Sequence, residues 1–490
     1  MFDRDFEWGE LTRFAELTGQ GPALGIVSGR RRQGKTYLLD ALTRTAGGFM
    51  FTASEATARQ ALAEFGAVLA RNRHEPGPYR FENWDEALTQ LLRGGQGMTV
   101  PASAPVVAVI DEFPYLAKQA PELPSLLQRQ LDPGHRRSAG PVRLLLCGSA
   151  LSFMGGLLAG GAPLRGRASL ELVVHTFDYR LAAKFWEISD LETAVLTNAI
   201  VGGTPAYRRE FSAGDAPAGP DDFDSWVERT VLNPARPLFR EARYLLAEEP
   251  GLRDNAVYNS VLAAIAAGNS TRGGIANFMG RPATDLAHPL GVLEDAGLIS
   301  READMFRANR SAYRIAEPMV AFYQAVMLPA WGELERPGRA AEVWRRMRQT
   351  FASKVVGPHF ERLCRDWARW HAAPATLGGY PARVGSGAIS DHAGRAMIES
   401  DVVVTSQEAA NRPEVLCLGE AKWNTMMTPG HLERLRRMRD LLRDKWGAQA
   451  VERTRFALFS GTGFSRELRD VAVGSPDVVL VDLDRLYHGE

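Results

Sequence analysis

Two groups of residues in this chain of 490 have the types and the spacing to act on phosphates. The first is Gly29-x-x-x-x-Gly34-Lys35-Thr36, the spacing of a phosphate-binding loop. Glycines at both ends let the backbone curl so that successive N–H groups converge on phosphate oxygens, and a helix starting near Lys35 adds its positive end. In such a loop the lysine reaches the β- and γ-phosphates and the threonine hydroxyl ligates Mg²⁺. The segment Gly29, Arg30, Arg31, Arg32, Gln33, Gly34, Lys35, Thr36 and Tyr37 is therefore expected to line a nucleotide, with ATP and Mg²⁺ the expected ligands. Asp111-Glu112 closes the apolar run 106–110 in a Walker B pattern. Asp111 is expected to hold the Mg²⁺ through water, and Glu112 to orient and polarise the attacking water. Ser149, leaving the run 142–147, either touches the γ-phosphate or the water as a sensor or caps the helix that follows. Arg165 and Arg167, in Pro163-Leu164-Arg165-Gly166-Arg167, are either fingers for transition-state charge, in the same or a neighbouring subunit, or ordinary surface cations.

The second group lies after residue 350. Glu361 opens an amphipathic helix over 360–370, Asp401 sits in a strand over 398–404, and Glu420 and Lys422 belong to a strand over 415–422. Strand alternation puts Glu420 and Lys422 on one face. With Asp401 on the adjacent strand, two carboxylates can share a divalent ion, Mg²⁺ or Mn²⁺, while the lysine sits near the attacking water. That is metal-assisted phosphodiester hydrolysis in outline, and Glu361 could add a third carboxylate. The alternative is a nuclease-like fold that keeps its acids as a solvated edge or uses them only to bind.

Length alone asks for about three domains to position these groups. Hydrophobic residues make up 45% and charged ones 24%, the balance of an ordinary globular chain rather than a disordered one. Lys plus Arg and Asp plus Glu both number 58, so any nucleic-acid surface must be local. Cys147, Cys364 and Cys417 are far apart without a CxxC spacing, which speaks against disulfides and zinc. The charged N-terminus lacks an apolar signal core and no run approaches about twenty apolar residues. No signal peptide, no membrane span and a cytoplasmic location are expected.

The loop needs a buried strand before it (24–27) and a helix after it. Residues 1–20 suit a short helix ahead of that strand, with Phe2 and Arg4 either stacking on a base or, for Phe2, serving the core. Residues 178–212 read as helices, and the Gly/Ala/Pro/Asp-rich stretch 213–223 as an exposed loop. From 255 to 313 short helices with a tight turn precede two short strands near 297–301 and 311–315, a winged-helix pattern whose third helix would enter a major groove. That helix carries few base-reading side chains. Arg272, Arg281, Arg301, Arg307 and Arg310 could contact phosphates instead, or the domain could serve as a lid or a protein-interaction module.

With GRRRQGKT, IDEFPYL, CGS, PLRGR, GGTPAY and GEAKW in this order, the chain resembles the archaeal-type AAA-like ATPases that carry a winged helix and a C-terminal PD-(D/E)XK nuclease-like domain. The resemblance implies an α/β multidomain protein: an ASCE-type P-loop parallel sheet over 1–177, a helical lid and linker over 178–250, a winged helix over 251–335, and a restriction-endonuclease-like α/β domain over 336–490. It implies Lys35 and Thr36 on nucleotide and Mg²⁺, Glu112 as base, and Glu361, Asp401, Glu420 and Lys422 as the nuclease-like site. DNA and further copies of the chain are the expected partners, ATP the expected cofactor. Gln33 stands where an apolar residue is commoner, at a position that contributes mainly backbone.

Overall fold

The computed structural model describes residues 2–19, 21–93, 105–132, 134, 140–247, 255–407 and 414–490. The chain forms two compact units, Met1–Thr176 and Phe177–Glu490.

The first unit is built on strands that are apolar on both faces. β1 (Ala23–Ser28), β3 (Val106–Asp111) and β4 (Val142–Gly148) are buried along their whole length, as strands covered by helices on each side must be. β2 (Phe49–Thr52) and β5 (Ala168–Val173) complete an all-parallel sheet in the order β2-β3-β4-β1-β5. Leu24, Ile26, Ile110 and Leu146 face helices Ala58–Asn72 and Trp84–Leu92 through Phe65, Trp84 and Leu88. The alternate residues Val27, Val109 and Leu145 face α1 (Asp5–Ala15) and α2 (Lys35–Ala46) through Leu11, Phe14, Leu38 and Leu39. Two different clusters on alternate residues is the period-2 signature of a two-sided sheet. The register pairs Ser28 with Gly148 and Ile110 with Leu146, so β1, β3 and β4 end at one edge. That edge, at the carboxyl ends of parallel strands, is where such sheets place ligands.

The second unit begins with helices Tyr179–Trp186, Leu191–Val201, Pro220–Trp226 and Pro237–Ala247. Helices Asn255–Ala266, Arg272–Met279 and Ala287–Asp295 follow, then an antiparallel hairpin of β6 (Ile299–Ala303) and β7 (Ser311–Ile315). After helices Ala340–Thr350 and Gly357–Trp370 comes a five-stranded sheet in the order β12-β11-β10-β9-β8, formed by β8 (Arg383–Asp391), β9 (Ala396–Thr405), β10 (Val415–Lys422), β11 (Arg455–Ser460) and β12 (Val478–Val481). β8, β9 and β10 pair antiparallel, whereas β10, β11 and β12 pair parallel. One apolar core runs from Trp186 and Trp226 through Leu293, Phe322 and Trp344 to Trp367, Phe459 and Tyr487. The segments 178–250, 251–335 and 336–490 thus share a core and pack as one unit.

The stretch 213–223 is not the loose loop that its composition suggests. Helix Pro220–Trp226 starts inside it and buries Phe223. Arg229 holds Asp215 and Asp222 at 2.8 and 2.7 Å, and the Trp226 indole donates to the Asp215 carbonyl. Gly, Pro and Asp set the turns here while one aromatic ring and one guanidinium fix them.

Candidate functional site

At the carboxyl edge of the first sheet the loop leaves β1 at Ser28 and enters α2 at Lys35. Gly29 (φ 150°) lies against the Val174 carbonyl so closely that a Cβ would overlap it, and Gly34 is left-handed at φ 90°. Arg32 also takes a left-handed conformation, φ 66°. The buried Lys35 ammonium donates to the Arg30 carbonyl at 2.8 Å, folded over the loop that it would leave to meet a phosphate. Burial lowers its pKa below the usual lysine value, against the opposing charges of Glu112 and Asp111. The Thr36 hydroxyl donates to Asp111 Oδ2 at 2.8 Å, and the Glu112 amide donates to Asp111 Oδ1 at 2.9 Å. A hydroxyl and a carboxylate in mutual contact are the donor set that a small hard cation takes over, so Thr36 and Asp111 fit Mg²⁺.

Glu112 is turned by its own backbone, φ 51°, before helix Phe113–Gln119 begins. Its carboxylate accepts from the Ser149 hydroxyl at 3.0 Å, and Ser149 in turn accepts from Arg31 Nε at 3.3 Å. Arg31 also donates to the Tyr115 hydroxyl. Because β4 lies between β1 and β3, Ser149 is delivered between the loop and the acids. In this structure it bonds to Glu112 rather than capping helix Leu151–Gly156, whose N-terminus has no side-chain cap. Tyr115 is absent from the sequence reading. Nothing in its position on the helix marks it, and Glu112, left-handed at φ 51°, stands outside the helix that carries it. Tyr37 is exposed on the first turn of α2, and Gln33 is buried.

Three expected contributors stand elsewhere. Arg4 does not present an open face for a base: its guanidinium bonds to the Gln33 carbonyl (3.3 Å), the His175 carbonyl (2.8 Å) and Glu7 (2.6 Å), bracing the loop from below. Arg167 pairs with Asp132 at 2.8 Å and Arg165 donates to the Gly160 carbonyl at 2.6 Å. Both precede β5, whose first residue, Ala168, pairs with Leu24 at the start of β1. They lie at the amino edge of the sheet, roughly 15 Å of strand from the phosphate loop. Their contacts are with Asp132 and Gly160 rather than with the loop.

In the second unit β9 carries a bulge. Gly385 pairs with Val403 and Gly387 with Ser400, so Asp401 and Val402 stand opposite the single residue Ser386. The Ser400 hydroxyl replaces part of the ladder by donating to the Gly419 carbonyl at 2.9 Å and accepting from the Gly419 amide at 3.1 Å. Asp401 is re-aimed toward β10, where its Oδ2 accepts from the Ala421 amide at 3.0 Å. Burial, and then the charge of Glu361, raise its carboxyl to about 6. Glu420, 2% exposed, pairs through Oε1 with Lys422 (3.0 Å) and more distantly with Arg434 (3.5 Å), while its buried Oε2 has no partner. An orphaned buried carboxylate oxygen beside a second acid fits a divalent cation. Glu361 is drawn off by Arg314 (3.4 Å) and Arg365 (3.9 Å), and no group of three or more metal-ligating side chains gathers among the described residues. The expected third carboxylate is therefore near the pair without joining it.

Of the arginines expected to meet DNA, Arg272 donates to the Ala283 and Thr284 carbonyls and Arg307 pairs with Asp304. Both hold local structure. Arg281, Arg301 and Arg310 are exposed. No helix of the described residues is long and apolar enough to cross a membrane.

No protein-family model matches the chain. An uncharacterized protein of Methanocaldococcus jannaschii is 25% identical over 315 residues, which are 63% of this chain and 65% of that protein's length. Among solved structures, the Walker-type ATPase of Pyrococcus abyssi aligns at 19% identity over 66% of this chain and 96% of that one, with a TM-score of 0.44. The ORC2 protein of Aeropyrum pernix aligns at 14% identity over 71% of this chain and 95% of that one, with a TM-score of 0.40.

Proposed function

We propose that the chain binds and hydrolyses ATP at the loop Gly29–Thr36 and couples nucleotide state to a DNA-acting, metal-dependent nuclease-like site at Asp401, Glu420 and Lys422. The observation that carries the first half is the 2.8 Å contact of Thr36 with Asp111 beside a buried lysine. Mg²⁺ there, when bound, neutralises developing phosphate charge, and Thr36 and Asp111 would hold it. Lys35 exchanges the Arg30 carbonyl for the β- and γ-phosphates. Glu112 takes the attacking water in place of the Ser149 hydroxyl, and Ser149, steadied by Arg31, positions that water. Arg165 and Arg167 serve a second copy of the chain, as fingers for transition-state charge. In the second unit the helices from Asn255 to Asp295 with the β6–β7 hairpin form a winged helix. Arg281, Arg301 and Arg310 are its phosphate contacts.

The test is ATP turnover and nucleotide binding by Lys35→Ala and Glu112→Gln, with a DNA panel in Mg²⁺ or Mn²⁺ for the second site. Lys35→Ala loses most binding; Glu112→Gln binds ATP and turns over slowly. Wild-type hydrolysis by both variants would refute the loop assignment, and DNA cleavage that survives Lys422→Ala would refute the second. One observation favours an alternative for the C-terminal half: Glu420 is already paired with Lys422 and Arg434, and among the described residues no third acid joins it. In that reading the fold is catalytically silent and ATP gates protein contacts; an absence of metal binding and cleavage would select it.

A further inference from the structure

The β6–β7 hairpin packs on the rest of its unit along one side and keeps Arg301 and Arg310 exposed. Its connecting residues reach the C-terminal sheet at the bulge that re-aims Asp401. Ser386, left outside the β8–β9 ladder, accepts from the Met305 amide at 3.0 Å. Phe306, 5% exposed, enters the apolar cluster of β9, β10, β11 and helix Pro429–Trp446, with its ring edge-on to Trp446 at 5.5 Å. Gly387 lies beneath that ring so closely that a Cβ would stand 2.5 Å from it. A side chain at 387 would push the hairpin off.

The hairpin strands add charge to this contact. Arg314 on β7 pairs with Glu302 on β6 at 3.0 Å and with Glu361 at 3.4 Å. Arg365 meets Glu302 at 3.6 Å and Glu361 at 3.9 Å. The four side chains balance, two cations against two acids, across the junction of the hairpin with helix Gly357–Trp370. Glu361, the helix carboxylate, is thereby held between two guanidiniums, one of which belongs to the hairpin.

We infer that the docked hairpin is a latch on the C-terminal acid site: Arg314 keeps Glu361 away from the Asp401–Glu420 pair, and undocking releases Glu361 as a third carboxylate for a divalent cation. The inference rests on reading Asp401 and Glu420 as a metal site. The contact, one backbone bond, the Met305 and Phe306 side chains and a few ion pairs, is small enough to open locally without unfolding the unit. Duplex DNA is the matching opener, because the exposed Arg301 and Arg310 lie on the same hairpin and the phosphate backbone would compete for it.

The test is Mn²⁺ binding by calorimetry on the nucleotide-free full chain. Wild type binds weakly, and Arg314→Met binds about tenfold or more tightly, the range in which neighbours of a metal ligand act. Arg314→Lys, which restores the charge, returns toward wild type, and adding Glu361→Gln to Arg314→Met cancels the gain. Asp401→Asn removes binding in every background. Phe306→Ala, the second route to the open state, also tightens binding and speeds exchange of the Met305 amide, so the test survives a poorly folding Arg314 variant. Equal affinity in wild type, Arg314→Met and Phe306→Ala, still lost in Asp401→Asn, overturns the latch and leaves the metal site standing. Absence of binding in all of them overturns both.

Discussion

Thr36→Val isolates the contact on which the proposed ATP site rests, because valine keeps the branched shape and removes only the hydroxyl. Without nucleotide the variant loses one hydrogen bond to a carboxylate, Thr36 Oγ1 to Asp111 Oδ2 at 2.8 Å. Such bonds contribute about 1.5–3 kcal/mol. Asp111 is 1% exposed, which favours the upper part of that range, but Thr36 itself is open to water and the Glu112 amide still serves Oδ1. The loss should then be about 1.5 kcal/mol, read as a lower urea midpoint and faster amide exchange in β1 and β3 with the second unit unchanged. With ligand the effect is sharper. ATP·Mg²⁺ at about a hundred times its dissociation constant should stabilise the wild type by ~2.7 kcal/mol. In Thr36→Val the metal-dependent share disappears, so ATP with chelator and ATP with Mg²⁺ shift the melting of the first unit equally. A variant as stable as wild type that keeps its full response to Mg²⁺ would refute the assignment of Thr36 and Asp111 together.

Phe306→Ala opens a cavity in the C-terminal core and should destabilise the second unit by about 3 kcal/mol, the low end for a buried phenylalanine at the rim of a cluster; chemical denaturation followed by tryptophan fluorescence measures it, and a change below 1 kcal/mol would mean that the ring is not docked. His359 is buried as the neutral imidazole, donating from Nε2 to Asn198 at 2.8 Å and accepting at Nδ1 from Arg362 at 3.1 Å, with burial, then Arg362, holding its pKa well below the usual value. The unfolded chain takes up the proton near pH 6.5 and the folded one does not, so this contribution is complete above about 6.5 and is lost as pH falls below it, by up to ~1.4 kcal/mol per unit. His359→Gln should flatten the stability profile between about pH 5 and 6.5, and an unchanged slope there contradicts the burial. Arg167→Ala, at the amino edge of the sheet, should leave ATP turnover untouched in dilute monomer and reduce it only where ATP with Mg²⁺ promotes self-association, tested by turnover against concentration alongside sedimentation; a loss in the monomer overturns that placement.

The strands that carry the proposed ATP site were legible because both of their faces are buried: runs such as Val106 to Ile110 leave no polar side for water, and the turn chemistry of Gly29 and Gly34 is local to eight residues. Ser149 was legible for the same reason, one step past a buried strand. Tyr115 was not, since a tyrosine on an ordinary helix face carries no mark of the arginine it will meet. The acids of β9 and β10 could be found from alternation, yet the bulge at Asp401 and Val402 depends on pairing with β8, whose sequence from Arg383 to Asp391 is rich in glycine and serine and reads weakly as strand. Phe223 and Phe306 were hidden by their surroundings. Each is a single ring in a polar, turn-forming stretch, and among the rings it meets are Trp344 for Phe223 and Trp446 for Phe306, more than a hundred positions away.

That distance also explains why a boundary near 336 marks no physical division. Helix Gly357–Trp370, which carries Glu361 and Arg365, is supported from three directions by earlier residues: Asn198 on His359, Glu302 and Arg314 on Glu361 and Arg365, and the Ala316 carbonyl, which accepts from Arg362 at 2.7 Å. The last turn of the chain is held in the same way, with the Tyr179 hydroxyl and Arg180 donating to the Leu486 carbonyl and Tyr179 edge-on to Tyr487 at 5.1 Å. A fragment that starts at 336 would expose the apolar faces these residues cover, and would take Asn198 from His359 and the Ala316 carbonyl from Arg362 while leaving the contact between those two, each orphaned buried polar group costing about 1–3 kcal/mol. Failure of such a fragment to bind metal would report its folding rather than the chemistry of Asp401 and Glu420. The smallest piece on which that chemistry can be judged is 177–490, because the acids, the helix behind them and the hairpin across them are stabilised by the same contacts.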